Sequence, residues 1–298
     1  MINLNRRHPG TSGSDKTSSA AMENFLRRTA SAAVLAPLAI LAAYLGNWVF
    51  TAVCAVTAAV VFWEWSVLVA RAAGWRILGP GLAALFIAAI LTQETMPYTA
   101  MGVVILGTFA VAAVSAVLPA AHRSDVSARW PAAGTVYAGI VLICPIVLRS
   151  DPEFGVAAIL FLFATVWATD IFAYLVGRAL GGPLLWRRVS PKKTWAGAIG
   201  GLAGGIAAGA AVAYASTGTQ PLVAGVLALI LSIAAQFGDL LESWVKRRFG
   251  AKDASTLIPG HGGVMDRVDG LMLAALAAVL IGTLRMGMAA SARGLLLW

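Results

Sequence analysis

Nine runs of predominantly apolar residues follow one another along the chain, near 30–46, 48–70, 77–93, 98–119, 132–149, 154–177, 195–216, 221–241 and 268–288. A helix needs about 20 such residues to cross a bilayer, so each run is long enough, or nearly so, to be a transmembrane span. The run 77–93 is the shortest of the interior ones. The polar intervals between runs are too short to hold a soluble catalytic domain, which confines any chemistry to loops and helix ends. Charged residues make up 12% of the chain and hydrophobic ones 59%, with a mean hydropathy of +0.82, whereas a soluble domain carries about 25% charged residues. The expected architecture is all-α and polytopic, with about nine transmembrane helices in a single domain over residues 22–298. Residues 1–21, rich in Ser, Thr, Gly and Ala and without the apolar core of a signal peptide, read as a disordered polar tail. The segment Met22–Arg28 reads as a short amphipathic stretch at the membrane surface.

The distribution of positive charge orients these spans. With the N-terminus in the cytoplasm, all of the 22 Lys and Arg residues except Arg149, Arg285 and Arg293 fall on the cytoplasmic side, in agreement with the positive-inside rule at every loop. Both long basic loops, 178–194 and 242–267, then face the compartment where nucleotides are available. The net charge of +9 is therefore a topology signal, and no nucleic-acid partner is expected. Cys54 and Cys144 lie far apart inside apolar runs, with neither disulfide nor metal-site spacing. The Gly-rich stretch Gly200–Gly205 suits close helix packing in lipid.

Acidic residues inside spans are costly and call for a reason. Asp170 lies in WATDIFAYLVGR and Asp239 in QFGDLLES, both towards the cytoplasmic ends of their spans. Asp239, Glu242 and Lys246 share one helical face at i, i+3 and i+7, with Ser243 beside them, and Asp266 and Asp269 share another. Two helix ends thus present carboxylate pairs, hard oxygen ligands suited to Mg²⁺. Interhelical hydrogen bonds or ordinary helix-cap roles are the alternative for these acids. Between them runs KRRFGAKDASTLIPGHGGVMDR, where glycines around His261 can bring backbone NH groups to an anion and Lys246, Arg247, Lys252 and Arg267 add positive charge. The other basic loop holds SPKKTW, Ser190–Trp195, whose paired lysines can grip polyphosphate or anchor the chain at the interface.

The stretch SWVKRRFGAKDASTLIPGHGGVMDRVD, residues 243–269, resembles the signature of the phosphatidate cytidylyltransferases, also called CDP-diacylglycerol synthases. WATDIFAYLVGR, SPKKTW and QFGDLLES resemble that family's other motifs in the same order, which places the catalytic motifs within 166–298. The N-terminal half resembles the family only in its hydrophobic pattern and in WEW at 63–65, and Ala196 departs from it where an acid is expected.

The resemblance implies transfer of a cytidylyl group from CTP to phosphatidate, giving CDP-diacylglycerol and pyrophosphate, by a membrane enzyme of phospholipid biosynthesis. It implies Mg²⁺ as cofactor, with K⁺ as a candidate second cation. It also points to a bacterial inner membrane with the active site facing the cytoplasm, and leaves a homodimer open. Carried onto this chain, Asp239 and Asp266 are expected to hold the metal, with Glu242, Asp170 and Asp269 in support. Ser243, Lys246, Arg247, Lys252, Asp253, His261, Arg267 and Asp269 are the expected catalytic set, and Ser190, Lys192, Lys193, Gly262 and Gly263 the phosphate-binding set. A relative acting on another lipid acceptor, such as an isoprenoid-derived phosphate, stays open on the sequence, and two rival classes fit less well. A CDP-alcohol phosphotransferase would continue Asp269–Gly270 with a different signature, and a transporter would tend to show repeated halves.

Overall fold

The computed structural model describes residues 33–70, 74–117, 129–255, 257 and 262–298. The N-terminal tail, the segment Met22–Arg28 and His261 lie outside these residues. Eight helices are long and apolar enough to cross a membrane: α2 (Asn47–Ala70), α3 (Trp75–Gln93), α4 (Pro97–Val117), α5 (Arg129–Arg149), α6 (Gly155–Leu180), α7 (Trp195–Thr217), α8 (Pro221–Arg248) and α9 (Met265–Met286). A shorter apolar helix, α1 (Ala33–Leu45), precedes them where the first of the nine runs was expected. A final short helix, α10 (Ser291–Leu296), folds back beside α9. The polytopic helical architecture therefore follows the apolar runs closely, and the run 77–93 forms a full helix despite Pro80.

One element among the described residues departs from an all-helical fold. Strands β1 (Leu184–Trp186) and β2 (Ser190–Thr194) form an antiparallel hairpin between α6 and α7, with Leu184 opposite Thr194 and Trp186 opposite Ser190. SPKKT is thus extended backbone, and it ends where the Thr194 side chain accepts from the Gly197 amide and caps α7.

Helix α5 is the central post: 83% of its apolar window is buried, against 28% for α4, which turns Ile105, Leu106 and Phe109 outward. Helices α6 and α7 pack along a stripe of glycines. At Gly197, Gly201, Gly205 and Gly209, spaced four apart on one face of α7, an added methyl would collide with α6 backbone or side-chain atoms. Small residues at this spacing let two helices approach in lipid, where dispersion rather than hydrophobicity holds them. The hydroxyls of Thr169 (α6) and Ser232 (α8) lie 2.7 Å apart and tie a third helix to the pair.

The bundle end opposite the two long basic loops holds Arg149, Arg285 and Arg293. Arg149 donates to the carbonyls of Ala43 (2.5 Å) and Tyr44 (3.3 Å), closing the C-terminus of α1 just before the left-handed turn at Gly46 and Asn47. Arg285 donates to Gly294 O and Leu297 O, both at 2.6 Å, and stacks on Trp298. Arg293 pairs with Asp151 and Glu153.

Candidate active site

The last turns of α8 and the first turns of α9 meet because glycine stands beside an acid on each. Gly238 lies against the Asp269 carbonyl with no room for a side chain, and a Cβ on Gly270 would stand 3.2 Å from the Ala235 carbonyl oxygen. This close crossing draws together Asp239, Glu242 and Asp269, with one oxygen from each within 4.8 Å of the others. Three ionised carboxylates at that spacing repel by roughly 3 kcal/mol or more per pair at an effective dielectric constant of about 20. Counter-charge is supplied from two sides. Lys193, on β2, forms an ion pair with Asp239, and the Lys246 ammonium reaches Glu242 Oε2 at 2.6 Å. Ser243 Oγ donates to Asp239 Oδ1 at 3.4 Å, and Asp269 Oδ1 accepts from the Gly270 amide at 2.7 Å. Glu242 is wholly buried, yet its Oε1 has no hydrogen-bond partner.

Asp266, expected beside Asp239 at a metal, turns both oxygens to protein donors. Its Oδ1 accepts from Lys246 Nζ at 2.5 Å, and its Oδ2 accepts from the amides of Gly263 (2.7 Å) and Ala254 (3.0 Å). The i, i+3 spacing of Asp266 and Asp269 fixes a shared helical face but not where each carboxylate points, and Asp266 in the first turn of α9 meets the incoming loop instead. The clustered carboxylates are therefore Asp239, Glu242 and Asp269, and the oxygen left open among them is Glu242 Oε1. Those are hard donors at the right density for Mg²⁺, and the orphaned Glu242 Oε1 is an atom that a cation would satisfy.

The remaining expected residues divide by position. Asp170, exposed in the C-terminal half of α6, lies within electrostatic range of Asp239, Lys193 and Arg267. Lys192 is exposed on β2, and Ser190 is half-buried where the hairpin pairs with Trp186. Arg247 is directed at backbone carbonyls, Val189 O at 3.4 Å and Ala251 O at 3.2 Å, and so braces the hairpin against the segment that follows α8. Lys252, Asp253 and Arg267 are exposed, Gly262 has a left-handed φ of +82°, and Gly263 is buried. His261 lies outside the described residues.

Glu64, the centre of WEW, was given no role in the sequence. It is the one charged residue of α2 and is completely buried, and it accepts from Ser255 Oγ (2.6 Å), the Val264 amide (2.9 Å) and the Met265 amide (2.6 Å). The rule that singled out Asp170 and Asp239, an acid inside an apolar run, applies equally at position 64 and would have found it.

Fold and site together define a polytopic membrane protein that gathers carboxylates, lysines and loop amides at one end of its bundle, a combination suited to phosphate and divalent-cation chemistry. A family model described as the cytidylyltransferase family matches residues 26–284. Phosphatidate cytidylyltransferases of Brucella abortus and Brucella suis are each 43% identical over 270 residues, covering 88% of this chain and 95% of theirs. That of Staphylococcus haemolyticus is 40% identical over 137 residues, 46% of this chain and 52% of its own. The chain belongs to the cytidylyltransferase family.

Proposed function

We propose that the protein transfers a cytidylyl group from CTP to phosphatidate, forming CDP-diacylglycerol and releasing pyrophosphate. The observation that carries this reading is the carboxylate cluster of Asp239, Glu242 and Asp269, with a buried unpartnered oxygen beside two lysines, in a chain of this family. Transfer at the α-phosphorus asks for positioning and charge neutralisation more than for a strong base, because the lipid phosphate is already an anionic nucleophile. Mg²⁺ is the proposed cation, held by Asp239, Glu242 and Asp269, and when bound it would neutralise phosphate oxygens as charge shifts to the leaving pyrophosphate.

The chain's own residues do the rest. Lys193 and Lys192 on the hairpin present ammonium groups to the polyphosphate, and Lys193 exchanges its contact with Asp239 for phosphate oxygens when substrate arrives. Lys246 stays with Glu242 and Asp266 and keeps the two buried carboxylates in register. Exposed Arg267 and the amides near Gly262 and Gly263 complete the cationic side, with Ser243 holding Asp239 in orientation. The apolar exterior leaves the acyl chains in lipid, so only the phosphate head group enters the polar site.

The test is formation of radiolabelled CDP-diacylglycerol from labelled CTP and phosphatidate in membranes carrying the protein, with Mg²⁺ alone and with Mg²⁺ plus K⁺. Product formed only with a different lipid phosphate would reassign the acceptor, and no liponucleotide with any acceptor would sink the reading.

The site faces the cytoplasm in this proposal, as the charge distribution implies, with a bacterial inner membrane as its setting. Because Cys54 and Cys144 are both buried, a Lys252→Cys variant offers a clean probe. An impermeant maleimide is expected to label it in inverted vesicles and not in right-side-out ones.

A further inference from the structure

Burying a carboxylate among apolar side chains is costly unless donors meet it. Glu64 sits in an otherwise uncharged helix, wholly buried, and three donors 191 to 201 residues away meet it. We infer that Glu64 is a positioning residue for the transfer site: it caps α9 from another helix and thereby sets where Asp266 and Asp269 stand.

The first helical amides of α9 have no side-chain cap of their own, since its N-cap residue is Val264. Such orphan amides, with the positive end of the helix dipole, favour a negative charge at that point. Glu64 Oε1 accepts from Val264 and Oε2 from Met265, so the carboxylate straddles the start of the helix. Its fit is tight, because a Cβ on Gly263 would stand 2.6 Å from Glu64 Oε1. Glu64 also reaches the near side of the loop through Ser255, just as Asp266 bonds Ala254 on that side and Gly263 on the other. Two carboxylates thus join the same pair of backbone segments, and the one from α2 stands outside the cluster.

Met265 immediately precedes Asp266 and lies one turn before Asp269. A shift of that first turn moves the partner of Lys246 and one of the three clustered acids together. The geometry in the C-terminal half therefore depends on an acid carried by a helix of the N-terminal half.

The inference rests on the proposed transfer reaction for its activity readout, and Glu64→Gln in the full-length protein tests it. We expect kcat per folded enzyme to fall about tenfold or more, the loss of roughly one charge-assisted hydrogen bond's worth of positioning, with a several-fold rise in the half-saturating Mg²⁺ concentration. Amide exchange should quicken at 263–266 and stay unchanged over 275–286. Wild-type kcat and Mg²⁺ dependence in this variant would overturn the inference. So would a lower yield of protein whose folded fraction keeps wild-type kcat, Mg²⁺ dependence and exchange, since that marks a role in folding alone. If Glu64→Gln does not accumulate, Ser255→Ala removes one of the three donors and is expected to shift Mg²⁺ dependence about twofold to threefold in the same direction; an unchanged value there also overturns it. A wild-type protein inactive in the assay would instead count against the reaction, and the exchange contrast would still decide the role of Glu64.

Discussion

The two ends of the helical bundle handle buried and half-buried charge in opposite ways. At the end holding Arg149, Arg285 and Arg293, the guanidinium groups lie against helix-terminal carbonyls or paired acids, so the charges serve to close chain ends. At the other end, carboxylates converge and lysines only partly compensate them, and Glu242 Oε1 is left without a donor. Charged side chains with filled valences close the chain at one end, and the proposed chemistry draws on the carboxylate whose valence is kept open at the other. Filled valences lower energy locally, whereas an open oxygen among like charges is tolerated only because the surrounding packing holds it there.

The contrast is broken most severely by removing a member of the carboxylate cluster. Asp269→Asn or Asp239→Asn is expected to lower cytidylyl transfer by roughly 100-fold or more while leaving membrane insertion and thermal midpoint near wild type, because loss of one charge relieves repulsion. Product measured from labelled CTP, alongside unfolding in detergent, checks both halves. Lys246→Met should be damaging in a different way. It strips the shared cation from Glu242 and Asp266, a loss of about 3–5 kcal/mol for a broken buried pair, so the thermal midpoint falls together with activity. Gly238→Ala comes next, since a methyl against the Asp269 carbonyl must push α8 from α9 at about 1–3 kcal/mol, and the resulting separation of Asp239 from Asp269 should raise the Mg²⁺ needed for half-maximal rate. Arg293→Gln at the closed end is expected to cost no more than about 1 kcal/mol, because the pair is partly exposed, and to leave kcat within about twofold. Activity lost in that variant with the fold intact would erase the distinction between the two ends.

Much of the architecture is legible in the sequence because membrane spans are long and repetitive: eight of the nine apolar runs became long helices, and the first falls on α1. The hairpin was not legible. Its strands are three and five residues long, include Pro191, and are held by pairing with each other and by Arg247, neither of which leaves a periodic trace. At the site, helical spacing correctly placed Asp239 with Glu242 on one helix end and Asp266 with Asp269 on the other. It could not say that Asp266 would be taken by Lys246 and two loop amides while Asp269 turned inward, because that choice is made by contacts across helices. Glu64 shows the same limit from the other side. Its charge in an apolar run was visible, whereas its partners 191 to 201 residues away were not.

The glycine stripe of α7 carries a consequence for how this protein tolerates change. Because Gly197, Gly201, Gly205 and Gly209 leave no space between α6 and α7, those helices behave as one stiff plank with Asp170 on it and the hairpin at one end. In a saturation mutagenesis screen, these four positions should therefore rank with the acids in intolerance although none of them carries a functional group, and their variants should fail as a set, each tilting the same plank.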